Sequence, residues 1–179
     1  MAQNNDDQVL NEFEKIKNDS IFTLTKLINL YGLSFSESRL FSFMFLENNP
    51  MTLDEMSQAL GMSKTSMSTG VRSLQDVQMV ERTWKKGIRK DLYIAEEDLY
   101  KSFSNSFVEE WKMITEHNLK EFKTTAKKLE SLSMECDDFE MQTFISNYSK
   151  KVDDIIEFHK WLSEVFREVQ NKIDNMKSE

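Results

Sequence analysis

Ten side chains in the middle of the chain have the chemistry to grip a polyanion. Lys64, Thr65, Ser66, Ser68, Thr69 and Arg72 fall on one predicted helix, and Lys85, Lys86, Arg89 and Lys90 follow within the next predicted hairpin. Hydroxyls donate or accept hydrogen bonds, so they hold phosphates well and read base edges loosely, while Arg72 can clamp a guanine or a phosphate. Between Gly61 and Ala95 seven basic residues (Lys64, Arg72, Arg82, Lys85, Lys86, Arg89, Lys90) stand against three acids (Asp76, Glu81, Asp91). That segment carries +4 in a chain of −8, which leaves −12 on the remainder. A basic island on an acidic body offers phosphates one favourable face and repels them elsewhere. A short basic cluster is also what an ordinary solvated surface shows, so the elements that carry it decide its meaning.

Other chemistries find little material. His117, His159 and Cys136 are too few for a metal cluster or a nucleophile–base pair, and no glycine-rich phosphate loop is present. The expectation is no enzyme, no metal and no cofactor. One cysteine excludes an intramolecular disulfide and suits a reducing cytosol. The polar, acidic stretch Met1 to Gln8 is unlike a secretory signal, and no apolar run approaches the roughly 20 residues that cross a bilayer. A cytoplasmic protein without a membrane role is expected.

Composition then bounds the elements that must position the basic residues. The chain is 39% hydrophobic and 30% charged, enough to fold, and its one proline and four glycines predict a mostly helical protein. Val9, Phe13, Ile16, Ile21, Leu24, Leu27 and Ile28 recur at helical spacing over residues 9–31, with Gly32 to close the helix. Ser34 and Glu37 form a capping box that opens a helix through Leu40, Phe43 and Met44; Asn48, Asn49 and Pro50 stop it. A second box, Thr52 with Glu55, starts a short helix carrying Met56, Ala59 and Leu60, which Gly61 ends. Ser63 caps the next helix, about Lys64 to Val77, which buries Met67, Val71 and Leu74 and turns the hydroxyl and basic residues outward. Gly70 inside that helix points to close approach of a neighbouring helix or of a ligand, or to plain tolerance. Two alternating runs, Met79 to Trp84 and Ile88 to Ile94, joined by Lys85-Lys86-Gly87, predict a β-hairpin. Helix, short helix, tight turn, helix, hairpin is the order of a winged helix-turn-helix, and five basic residues from Arg82 to Lys90 land on its wing.

Beyond Glu96 the pattern is helical again. Leu99, Phe103, Phe107, Trp111 and Ile114, then Phe122, Ala126, Leu129 and Leu132, make one stripe, with a break near Glu135 to Asp138. The last helix carries a heptad seam: Met141, Ile145, Tyr148, Val152, Ile155, His159, Leu162, Phe166, Val169, Ile173 and Met176. One helix cannot bury such a seam alone. It must pack within the chain or on a second copy, and a dimer is the favoured reading. Phe144, Ile156, Phe158, Trp161 and Val165 widen the apolar face toward a bundle. His159 reads as a packed or hydrogen-bonded member of the seam.

The fold class that results is mainly α: a winged helix-turn-helix with a small β-hairpin wing, and long C-terminal helices forming a dimerisation bundle. Its expected division is 1–33 for an N-terminal dimerisation helix, 34–95 for the DNA-binding domain, and 96–179 for dimerisation and effector sensing.

The run from Met51 to Asp76 (MTLDEMSQALGMSKTSMSTGVRSLQD) closely resembles GbsR-type regulators, a branch related to the MarR repressors. So do Lys85-Lys86-Gly87-Ile88-Arg89-Lys90, Phe103 to Phe107 with Trp111, and His159 to Leu162. The resemblance spans most of the chain and is strongest from Ser34 to Trp111. It implies a non-enzymatic repressor of choline uptake or of choline oxidation to glycine betaine, responding to choline. Its partners would be a double-stranded DNA operator, a quaternary-ammonium effector and a second copy of the chain through the terminal helices.

A quaternary ammonium donates no hydrogen bond, so aromatic faces must hold it, sometimes with a carboxylate nearby. Trp111 and Trp161, each beside acids (Glu109 and Glu110; Glu157), lead the candidates, with Phe107, Phe103, Tyr100 and Phe158 behind them. Aromatic stripes at helical spacing are also ordinary core. The alternatives are a MarR-like repressor answering to another small molecule or to none, and a helical protein-interaction module without DNA binding.

Overall fold

The computed structural model describes residues 2–176, with side chains from Asp6 onward. Two compact units divide the chain after Phe107.

In the first unit, helix α1 (Ala2–Ile28) turns Ile21, Thr25 and Ile28 inward. Thr25 tolerates full burial because its hydroxyl donates to the Ile21 carbonyl at 2.7 Å. A 3₁₀ turn (Asn29–Tyr31) ends at Gly32, whose φ of 85° is the left-handed conformation the sequence anticipated. Both capping boxes form. At α2 (Phe35–Glu47) the Glu37 N–H donates to the Ser34 hydroxyl at 3.3 Å, and the Ser34 N–H donates to the Glu37 carboxylate at 2.8 Å. At α3 (Leu53–Leu60) the Glu55 N–H donates to Thr52 Oγ1 at 3.2 Å, and the Thr52 N–H returns a 2.7 Å bond. That backbone donor holds the Glu55 carboxyl below its ordinary range. Gly61 (φ 65°) ends α3, and Ser63 caps α4 (Lys64–Asp76) by accepting the Ser66 N–H at 3.1 Å.

Helices α2, α3 and α4 close around a dense core. Leu40, Phe41, Met44, Met56, Met67, Val71, Leu74 and Met79 are all at most 2% exposed. Gly70 has its explanation here. A Cβ on it would stand 3.0 Å from Leu40 Cδ2, so a larger residue would have to shift the buried Leu40 side chain.

The wing differs from its expected form. Strands β1 (Val80–Thr83) and β2 (Leu92–Ala95) are shorter than the alternating runs suggested, and pair antiparallel with Val80 opposite Ala95 and Thr83 opposite Leu92. The second strand therefore starts at Leu92, not Ile88, and Ile88, Arg89 and Lys90 belong to a loop spanning 84–91. The physical reason is burial: Leu92 and Ala95 reach the core, whereas Ile88 sits in a turn built on Gly87 (φ 90°), closed by the Ile88 N–H donating to the Lys85 carbonyl at 3.1 Å. A further backbone pairing was not anticipated. Met51 and Tyr93 exchange N–H···O bonds of 2.9 Å each, which pins the segment before α3 to β2.

Helix α5 (Leu99–Phe103), capped by Asp98, and a π-helical turn (Ser104–Val108) carry the chain to the boundary between the units. The second unit is a hairpin of α6 (Glu109–Glu135) and α7 (Phe139–Met176), with residues 136–138 as the break the sequence placed there. Helix α6 packs one row of the heptad seam within the chain, where a second copy was the favoured expectation. Ile145, Val152, Phe166 and Ile173 are buried in the hairpin, but Met141, Tyr148 and Met176 on the other row stay exposed. His159 is half-buried, bonded through Nδ1 to the Ile155 carbonyl at 2.8 Å and flanked by the Phe122 ring at 5.6 Å. Among the described residues no helix is long and apolar enough to cross a membrane.

Candidate nucleic-acid interface and aromatic sites

The turn between α3 and α4 is locked at backbone level. The Ser57 hydroxyl donates to the Met62 carbonyl at 2.5 Å, and the Met62 N–H donates back to the Ser57 carbonyl at 3.2 Å. This fixes α4 across α3 and leaves one face of α4 outward. Lys64, Thr65, Ser66, Thr69 and Arg72 are exposed on it, while Ser68 is half-buried. Ser66 is already engaged, since its N–H is capped by Ser63 and the two hydroxyls share a 2.9 Å bond.

The wing loop brings its own cations. Lys85, Lys86, Arg89 and Lys90 are all exposed, and Arg82 and Asp91 pair across the base of the loop. Among the described residues Arg72, Lys85, Lys86 and Arg89 form no ion pair, which leaves their charge for an outside anion. Helix and loop meet at one carboxylate. Asp54, in the first turn of α3, accepts from Lys64 Nζ through Oδ1 at 2.8 Å and from Lys90 Nζ through Oδ2 at 2.7 Å. The hydrogen bond from Lys64, then that from Lys90, draws the Asp54 carboxyl down to about 2, and Asp54 in turn raises Lys90 above its usual value. In the sequence Asp54 is only a residue between Thr52 and Glu55, the two partners of a capping box. Lys90 lies 36 positions away, and no local spacing signals such a partner.

The six aromatic candidates fall into groups. Phe103 and Phe107 stack at 5.3 Å and both lean on Tyr31, at 5.4 and 5.9 Å, as part of the first unit's core. Tyr100 is exposed on α5. In the second unit Trp111 stacks on Phe166 at 5.5 Å, and Phe158 and Trp161 form an exposed pair at 5.8 Å. Two of the acids beside the tryptophans are committed elsewhere: Glu109 pairs with Lys112 at 2.8 Å and Glu157 with Lys160 at 2.6 Å.

A cavity of about 660 Å³ in the first unit went unforeseen. Phe22, Phe35 and Phe43 line it with Ile21, Arg39 and the ion-paired Lys17 and Glu47. Its residues come from α1, α2, α3 and the segment before α3, through Met51, and sequence periodicity assigns each of them to core or surface without showing the space they leave.

The comparisons agree with this architecture. A family model described as the GbsR family transcriptional regulator, C-terminal helical hairpin, matches residues 99–173. The HTH-type transcriptional repressor GbsR of Bacillus subtilis (strain 168) is 32% identical, over 88% of this chain and 87% of that protein. From the same organism, the putative HTH-type transcriptional regulator YvaV is 30% identical over 84% and 85% of the two chains, and the HTH-type transcriptional repressor OpcR is 29% identical over 86% and 84%. A solved structure described as a transcriptional regulator shares the fold, with a TM-score of 0.60, 12% identity, and coverage of 91% of this chain and 99% of that one.

Proposed function

Because the chain belongs to the GbsR family of transcriptional regulators, we propose that it is a cytoplasmic dimeric repressor that seats α4 in the major groove of a double-stranded operator. The 84–91 loop lies on flanking backbone or minor groove, and choline, or glycine betaine, is the effector. Residues 34–95 do the DNA reading in this account; 1–33 and 96–179 dimerise and sense.

One observation carries the DNA part. Lys64 of α4 and Lys90 of the wing loop converge within 2.8 Å of the same Asp54 carboxylate, so two elements distant in sequence present a joint cationic edge. Thr65, Ser68, Thr69 and Arg72 on α4 supply groups suited to base edges and phosphates, and Lys85, Lys86 and Arg89 supply charge beyond it. The dimer is supported by apolar side chains that a single protomer leaves exposed on its terminal helices: Val9, Phe13 and Ile16 on α1, Met141 and Tyr148 on α7. Two recognition helices in a dimer reading successive turns would stand roughly 34 Å apart.

Trp111 and Trp161 are the leading faces for the effector, with Phe158 beside Trp161. Calorimetric titration with choline tests this directly. Saturable heat that disappears in Trp111→Ala or Trp161→Ala supports the tryptophan cage; no heat with choline or glycine betaine removes the effector from the proposal and leaves DNA binding standing. The cavity lined by Phe22, Phe35, Phe43 and Arg39 favours a second reading, a repressor with a different small-molecule signal. Choline heat that survives both tryptophan variants and is lost in Phe43→Ala would place the effector there.

A further inference from the structure

Asp54 occupies a position where a carboxylate works against binding to a polyanion. It lies in the first turn of α3, on the side that carries Lys64 and Lys90, and its two oxygens take the two ammonium groups at 2.8 and 2.7 Å. Both lysines stay largely open to solvent, with side-chain exposures of 62% and 66%. This is the geometry in which a phosphate oxygen pair would receive them. We propose that Asp54 is an internal phosphate mimic: it holds Lys64 and Lys90 in the free protein and must surrender them to DNA, so that backbone contact alone is disfavoured and base readout by α4 decides where the protein stays. The inference rests on the DNA-binding reading above.

The physical argument is one of competition. An exposed ion pair contributes little to stability, and the favourable place of a carboxylate in the first turn of α3 is also filled by Glu55. Its charge does matter to a ligand that arrives as a row of phosphates. Affinity that depends on sequence-independent phosphate contacts scales with the cations free to displace counterions, and an anion set among those cations subtracts from that term on every sequence equally. Contacts to base edges are untouched, so every affinity falls by a similar factor, and at a given protein concentration only duplexes that add base contacts stay occupied. Asp54 stays ionised at any pH at which the protein meets DNA, since the two lysines hold its carboxyl near 2. Thr52 and Glu55 close the cap of α3 without it, so removing its charge leaves the helix its start.

Fluorescence anisotropy on two duplexes tests this: one of mixed sequence, and one enriched from a random pool by the wild-type protein. Asp54→Asn, with helix content and melting checked by circular dichroism, is expected to bind the mixed duplex about three- to tenfold tighter at low salt and with a steeper salt dependence. Its affinity for the enriched duplex should rise by a similar factor, so the ratio between the two duplexes should hold. In an Asp54→Asn, Lys64→Gln, Lys90→Gln triple variant the gain should vanish. A folded Asp54→Asn that binds the mixed duplex as the wild type does, or more weakly, overturns the proposal while leaving DNA binding intact. A wild-type protein that binds neither duplex at any salt overturns the DNA reading itself, and this inference with it.

Discussion

The helix-turn-helix core and the C-terminal hairpin handle their apolar residues in opposite ways. In the first, Leu40, Phe41, Met44, Met56, Met67, Leu74 and Met79 are sealed from solvent within one protomer. In the second, among the described residues, only Val152, Ile145, Ile173, Ile156 and Phe166 of α7 are buried large side chains, while Met134, Phe139, Phe144, Phe158 and Trp161 stand at more than half exposure. Burial drives folding in proportion to the apolar area removed from water, so the core is complete where it stands and the hairpin is not. This contrast suits the proposed division of labour, in which the sealed core reads DNA and the exposed faces of the terminal helices meet a second copy.

Substitutions sharpen that comparison. The largest expected effect is in the core, where Phe41→Ala should lower unfolding free energy by about 3–5 kcal/mol in urea titrations. Phe144→Ala should cost less than about 0.5 kcal/mol in dilute protein, as an exposed position does; if a second copy covers Phe144, its cost will grow with protein concentration. Equal losses at the two sites in dilute protein would erase the contrast. Next in size is Gly70→Leu, expected to destabilise by about 1–3 kcal/mol, since the new side chain must displace Leu40 from a filled core. The smallest loss within the first unit is at a helix cap. Thr52→Ala should cost about 1 kcal/mol, because α3 then starts without the two hydrogen bonds of the Thr52 hydroxyl.

The local features were legible in the sequence because their physics is local. Capping boxes span four residues, a left-handed glycine announces itself at Gly32 and Gly61, and a heptad seam needs only its own spacing. What the sequence concealed is long-range. Ile88 has the alternation of a strand residue but no buried face to occupy, so the strand waits until Leu92. The Met51–Tyr93 pairing and the Asp54 carboxylate join segments some forty residues apart, and the cavity beside Phe43 arises where three helices fail to meet. Gly70 was visible as an oddity; only its distance to Leu40 explains it. Among the candidate site residues, the α4 and loop cations were identifiable from charge and order alone. The aromatic set was less so, since Phe103 and Phe107 pack on Tyr31 as core while Trp161 and Phe158 remain open.

The central claim is that α4 and the loop after β1 grip duplex DNA through phosphates and base edges. The most direct test is the salt dependence of duplex binding by anisotropy, in the wild type and in a Lys85→Gln, Lys86→Gln, Arg89→Gln variant. The account predicts saturable binding by the wild type, and a slope of log affinity against log salt that is shallower in the variant by roughly 2–3, about 0.9 for each phosphate no longer neutralised. An unchanged slope, or no binding by the wild type at any salt, would contradict it.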